Sequence, residues 1–179
     1  MKLIVGLGNP GKQYVHTRHN AGFLAIDYFL RGKDAISCQS KFKAHICEMH
    51  IGNEKVFFVK PQTFMNHSGT AVKHIADFYK LDVTNDILVI HDEVDLPFGK
   101  IKLTSSASAA GHNGVQNIID EFGHKDFHRI RIGVESREHR SETPTDAFVL
   151  HPFQHAEQER LESEVLPKVS EHIKTFIQK

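Results

Sequence analysis

The chain has 179 residues, 40% of them apolar and 25% charged, with Lys+Arg and Asp+Glu balanced at 22 each. That is enough for one domain, 1–179, with a sizeable core and too little for two comfortable ones, and the composition is that of an ordinary soluble globular protein. There is no global basic signature, so a nucleic-acid partner would have to be held by a local basic patch. In chain order, residues 2–6 ("KLIVG") read as a buried strand. "NAGFLAIDYFL" (20–30) reads as a helix, with Asn20 placed to cap it and Phe23, Ile26 and Leu30 on one face. The stretch 43–61 holds two strands joined by a turn at Gly52-Asn53, a hairpin signal. Residues 68–80 have a helical period through Val72, Ile75, Ala76 and Tyr79. "DILVIHDEV" (86–94) is a buried strand running into acids, and "KIKLT" (100–104) and "HRIRIGVE" (128–135) are further strands. "NGVQNIIDEF" (113–122) is a helix, 136–146 a polar loop, and 154–178 a charged amphipathic helix interrupted near Pro167.

Intermingled strands and helices predict an α/β domain with a central mixed, twisted sheet flanked by helices. The two cysteines, Cys38 and Cys47, have no paired spacing and are expected to be reduced, as in a cytosolic enzyme. The first apolar run, Leu3-Ile4-Val5, is too short for a signal-peptide core, and no run reaches membrane-spanning length. A soluble, cytoplasmic protein without a membrane partner is therefore expected. Most of the 14 histidines are expected on the surface or in loops.

Gly6, Gly8 and Gly11 spell G-x-G-x-x-G directly after the first strand, the spacing of a dinucleotide-binding turn. That use requires a helix to start inside the turn and an acid roughly 20 residues on, at the end of a second strand. Here the polar "KQYVHTRHN" follows, Asp27 falls inside the predicted helix and Asp34 in a loop. The dinucleotide reading is rejected. What remains is a tight loop at the carboxyl end of the first strand, the end at which open α/β sheets bind ligands.

Short polar groups gather where chain segments leave strands or enter helices: Asn9, His19 and Asn20; Asn66; His91, Asp92, Glu93 and Asp95; His112 and Asn113. A histidine, an acid and several carboxamides suit metal-free acyl hydrolysis by water. Neutral imidazole is a base matched to neutral pH, a carboxylate fixes its tautomer, and carboxamides donate to an oxyanion. No nucleophile elbow G-x-S-x-G occurs. Taken singly, an Asn beside a glycine is more often a turn or cap residue, and both Asn20 and Asn113 could serve as N-caps. Lys100 with Lys102, and Arg129 with Arg131, alternate onto single strand faces, either as a solvated surface or as a phosphate-binding patch.

"GLGNPGKQYVHTRHNAGF", "KPQTFMNHSG", "HDEVDLPFG", "GHNG" and "FHRIRIGV" together closely resemble the bacterial-type peptidyl-tRNA hydrolases, in order and spacing, from residue 2 to about 150. The resemblance implies hydrolysis of the ester between a peptide and the 3′ end of tRNA, by a monomer without a cofactor or metal. By motif position, it implies His19 as catalytic base and Asp92 as the group orienting it. Asn9, Asn66 and Asn113 match carboxamides that hold peptide and water, and Tyr14 and Met65 match channel walls. His112 matches a neighbour on the tRNA side, and Arg131 a contact to the 5′ phosphate of the acceptor stem. The family's lysine partner falls on the "KIKLT" strand, at Lys102 or at the position of Thr104. The chain departs from the pattern at "TSSASAAGHNG", where Ser and Ala replace most glycines and restrict the loop. It departs again at "ESREHRSE", which lacks the usual glycine and proline.

Two other classes compete. A metallohydrolase would use His91, Asp92, Glu93, Asp95 and His112, but nothing like H-E-x-x-H is present and adjacent strand acids face opposite ways. A non-catalytic RNA-binding module would use the basic strands and would not need the His–Asp–Asn cluster.

Overall fold

The computed structural model describes residues 1–34 and 36–179. Its centre is a seven-stranded sheet in the order β2-β3-β4-β1-β5-β7-β6. The strands are β1 (Lys2–Gly6), β2 (Ser37–Lys41), β3 (Ala44–Ile51), β4 (Glu54–Pro61), β5 (Ile87–Pro97), β6 (Ile101–Thr104) and β7 (His128–Glu135). Strands β4, β1, β5 and β7 run parallel, while β2, β3 and β6 join antiparallel at the two margins. The sheet is therefore mixed, as the hairpin implied.

The helices are α1 (Ala21–Leu30), α2 (Ser68–Tyr79), the short α3 (Val83–Asp86), α4 (Asn113–Phe122), α5 (Thr145–Leu150), α6 (His155–Arg160) and α7 (Leu166–Ile177). A π-helical stretch, Leu161–Val165, joins α6 to α7 just before Pro167, which accounts for the interruption expected there. Strand alternation divides the core in two. Ile4, Phe58, Leu88 and Ile90 face α1 and α7, whereas Leu3, Val5, Phe57, Val59 and Val89 face α2 and α4. Both faces are covered, which is why the central strands read as unbroken apolar runs.

The glycines after β1 serve packing. A Cβ on Gly6 would lie 2.3 Å from the Gly22 carbonyl oxygen, and one on Gly22 would lie 2.3 Å from the Ile90 oxygen. Helix α1 thus rests with its backbone against the ends of β1 and β5. Residues after Gly11 form 3₁₀ turns at Lys12–Tyr14 and Arg18–Asn20, and α1 begins only at Ala21. No long helix opens in the glycine turn, consistent with rejecting the dinucleotide reading.

Two expectations fail at the β2 margin. Strand β2 was not foreseen, because its turn into β3 is Phe42-Lys43, with φ 55° at both residues. This is the left-handed backbone usually supplied by Asn-Gly, so the residues carry no turn signal. The expectation that Cys38 and Cys47 are reduced is also overturned: they form a disulfide. The unseen hairpin sets the two cysteines directly opposite one another on β2 and β3, so nine residues of sequence separation become one cross-strand pair.

Candidate active site

The carboxyl ends of β1, β4 and β5 meet the start of α4, and the polar residues converge there. His19, on the 3₁₀ turn before α1, is buried together with Asp92 of β5. Its Nδ1 donates to Asp92, 3.0 Å from each carboxylate oxygen. Bonding at Nδ1 selects the tautomer that leaves the Nε2 lone pair for a substrate. Burial pulls the His19 pKa down, but the charge and hydrogen bond of Asp92 outweigh it, so the value lies above the ordinary 6.5.

Asp92 serves two histidines. His112 Nε2 donates to its Oδ1 at 2.9 Å, while His112 Nδ1 accepts from the Val115 amide and so caps α4. The helix cap thereby settles which His112 nitrogen carries the proton. Burial alone would favour neutral Asp92, yet His19 and His112 hold its carboxyl far below the usual carboxylate range. His91 packs its ring edge-on to His112 and donates Nδ1 to the Asp92 carbonyl. Burial and the neighbouring His112 push its pKa well below the ordinary value.

Asn9 is clamped. Its backbone N–H and carbonyl bond the Asn20 carboxamide at 2.9 and 3.0 Å, and its Oδ1 accepts the Met65 amide at 2.8 Å. Asn20 therefore does not cap α1 with its side chain but holds the glycine-rich loop. With Oδ1 committed, the Asn9 Nδ2 donor is the group left for a ligand.

Two cavities flank His19. One of about 270 Å³ is lined by His19, Asp92, Glu93, His112, Asn113 and Asp146. The other, about 290 Å³, is lined by Asn9, His19, Phe64, Met65, Asn66 and Leu150, with Asn113, Asp146 and Val149 shared. Asn66 and Asn113 are exposed at the mouth, and Asn113 is the first residue of α4 rather than its cap. Tyr14 lines neither cavity.

The basic face is less open than the alternation suggested. In the β6–β7 ladder Lys102 stands opposite Arg131, and Thr104 opposite Arg129. Arg129 is buried, and its guanidinium bonds the carbonyls of Ala107, Ser108 and Lys125, pinning the Ser/Ala-rich loop that leads to His112. Arg131 Nε and Nη2 grip Glu93 at 2.9 and 2.8 Å, so Lys100 and Lys102 are the exposed cations of the four, and Lys102 is the one opposite Arg131. The five-residue metal set does not converge. His91 turns to the Asp92 carbonyl, Glu93 to Arg131 and Asp95 to Arg140, leaving the Asp92 carboxylate and His112 in the site. Among the described residues, two triplets bring ligand atoms within 4.8 Å of one another: His19 with Asp92 and His112, and Cys38 with His45 and Cys47.

Comparison with known proteins identifies the family. The family model described as peptidyl-tRNA hydrolase matches residues 3–179. The chain belongs to the peptidyl-tRNA hydrolase family. A peptidyl-tRNA hydrolase of Fusobacterium nucleatum is 47% identical over 173 residues, 95% of this chain and 86% of the relative. That of Desulfitobacterium hafniense is 49% identical over 134 residues, 75% of this chain and 71% of the relative. The crystal structure of the Acinetobacter baumannii peptidyl-tRNA hydrolase superposes with a TM-score of 0.84 at 30% identity, covering 99% of this chain and 93% of that one. No helix of the described residues is long and apolar enough to cross a membrane.

The motif reading missed two residues that shape the surroundings of this candidate site. Arg18 is buried beneath His19, donates to the His151 and Pro152 carbonyls and to Glu157, and stacks on Phe148, tying the α5–α6 connection to the His19 turn. Asn117 accepts the Gly69 amide and locks α2 to α4. A buried arginine or mid-helix Asn carries no local pattern that announces such a partner; only the long-range contact does.

Proposed function

We propose that this chain hydrolyses the ester of peptidyl-tRNA with His19 as general base and Asp92 as the group that orients it and stabilises the imidazolium. The observation that carries this reading is the His19 Nδ1–Asp92 pair with Nε2 directed to cavities on either side. Water loses a proton to Nε2 as it attacks the ester carbonyl, and the ribose oxygen leaves with a proton returned by the imidazolium. Asn9 Nδ2 and Asn113 donate to the developing oxyanion and to the first peptide unit. The apolar cavity of Phe64, Met65 and Leu150 suits the acyl side, with Asn66 at its mouth. The cavity beside Glu93 and Arg131 suits the tRNA side. Selectivity for a peptidyl over an aminoacyl ester follows from carboxamides that a charged ammonium would leave unpaired.

His112 acts in this reading through Asp92, while Lys102 supplies the exposed phosphate contact and Arg131 reinforces it with its remaining Nη1. Tyr14 retains, on motif position alone, a place further along the peptide path. The residues named come from one chain, which suits a monomeric domain spanning 1–179. A substrate made on ribosomes puts the enzyme in the cytoplasm. Release of N-acetyl-amino acid from N-acetyl-aminoacyl-tRNA, with unblocked aminoacyl-tRNA as control, tests the reading. Cleavage of the blocked ester alone, lost in His19→Ala, is expected. Cleavage that survives the substitution removes His19 as the base, and no cleavage by folded wild type removes the hydrolase reading.

A further inference from the structure

The hairpin margin of the sheet, remote from the hydrolase motifs, carries a second chemically distinct cluster. Cys38 of β2 stands directly opposite Cys47 of β3, so both side chains leave the same sheet face. His45 precedes Cys47 by two residues and therefore shares that face. Its Nε2 lies 3.6 Å from Cys47 Sγ, and the three ligand atoms lie within 4.8 Å of one another. A tetrahedral zinc with ordinary Zn–S and Zn–N bonds sets its ligand atoms about 3.5–3.8 Å apart. Cys38 is exposed, His45 half-buried and Cys47 buried in the core beneath, so the cluster has a buried floor and a side open to solvent.

We propose that Cys38, His45 and Cys47 form a redox-gated site for a thiophilic divalent cation of the zinc class. With the cysteines joined, the sulfurs are poor ligands and the site is closed. A dithiol reductant opens it: the S–S bond takes two electrons and two protons to give two thiols, while the reductant becomes a disulfide. Metal binding then displaces the two thiol protons, giving two metal–thiolate bonds and one metal–imidazole bond. The reducing cytoplasm supplies such dithiols. Either linkage ties β2, all five of whose residues are exposed, to the buried part of the sheet through Cys47.

The test uses the full chain, reduced and then freed of reductant under argon, titrated with Co²⁺ as a spectroscopic stand-in. A thiolate-to-cobalt charge-transfer band saturating at one equivalent is expected, displaced by Zn²⁺ and absent after reoxidation. Metal at His19, Asp92 and His112 gives no such band, because that triplet has no sulfur. Cys38→Ser, at an exposed position that leaves the fold intact by circular dichroism, should abolish the band. His45→Ala should weaken Co²⁺ binding at least tenfold. A reduced wild type without the band, or a band indifferent to Cys38→Ser or His45→Ala, overturns the proposal.

Discussion

Asp92→Asn preserves the shape of the side chain and deletes one charge. Asp92 is 2% exposed, and both its oxygens stand 3.0 Å from His19 Nδ1. At that separation and an effective dielectric near 20, a carboxylate and an imidazolium attract by roughly 5 kcal/mol before the opposing desolvation. Retaining about 4 kcal/mol of this at the transition state, where His19 becomes cationic, corresponds to a slowdown on the order of 10³-fold. The pH profile should move as well. His19 must be neutral to act as base, so the wild-type rate rises with pH through a midpoint above 6.5. Without the Asp92 charge, burial is the main remaining influence, and the midpoint should fall below 6.5. Single-turnover release of N-acetyl-amino acid from N-acetyl-aminoacyl-tRNA, measured between about pH 5 and pH 9, reports both effects. A rate within tenfold of wild type, or a midpoint that stays or rises, would refute the assigned role of Asp92.

His112→Ala frees Asp92 to serve His19 alone, so the same midpoint should move up, and loss of the α4 cap should cost about 1 kcal/mol in urea unfolding. Gly22→Ala places a Cβ against the Ile90 oxygen and the Leu7 backbone at 2.3–2.6 Å; it should destabilise by about 3 kcal/mol or more, read as a lower urea midpoint. Lys102→Ala should raise KM for tRNA substrates and reduce the salt dependence by about one unit of log–log slope, leaving kcat near wild type. The His19–Asp92 pair should also show in stability against pH. The raised His19 value gives a contribution fully present below its unfolded pKa and lost as pH rises through the folded one, whereas the lowered Asp92 value gives one present above its unfolded pKa and lost in acid. Urea unfolding of wild type and Asp92→Asn across this range checks both signs.

The central strands were legible because two covered faces demand continuous apolar runs, and β1, β4 and β5 have them. The amphipathic periods of α2 and α4 were equally plain. Strand β2 was not, since five exposed residues and a Phe-Lys turn carry neither an apolar pattern nor a turn signature. The cysteine pair went with it: a cross-strand pair is defined by register, and register is invisible until the turn is known.

At the site, residue chemistry alone pointed to a histidine, an acid and carboxamides at strand exits, and motif order pointed to the family. Which groups remained available was decided by the tertiary structure. His112 lines the cavity beside Glu93 and at the same time spends its Nε2 proton on Asp92; Arg131 looked like an open cation and is held by Glu93; Asn20 looked like a cap and clamps Asn9. Local sequence determines what a side chain is able to bond, through its donors, acceptors and charge. Only the packed chain decides which of those bonds are already made, because the partners lie tens of residues away and burial makes leaving them unsatisfied costly.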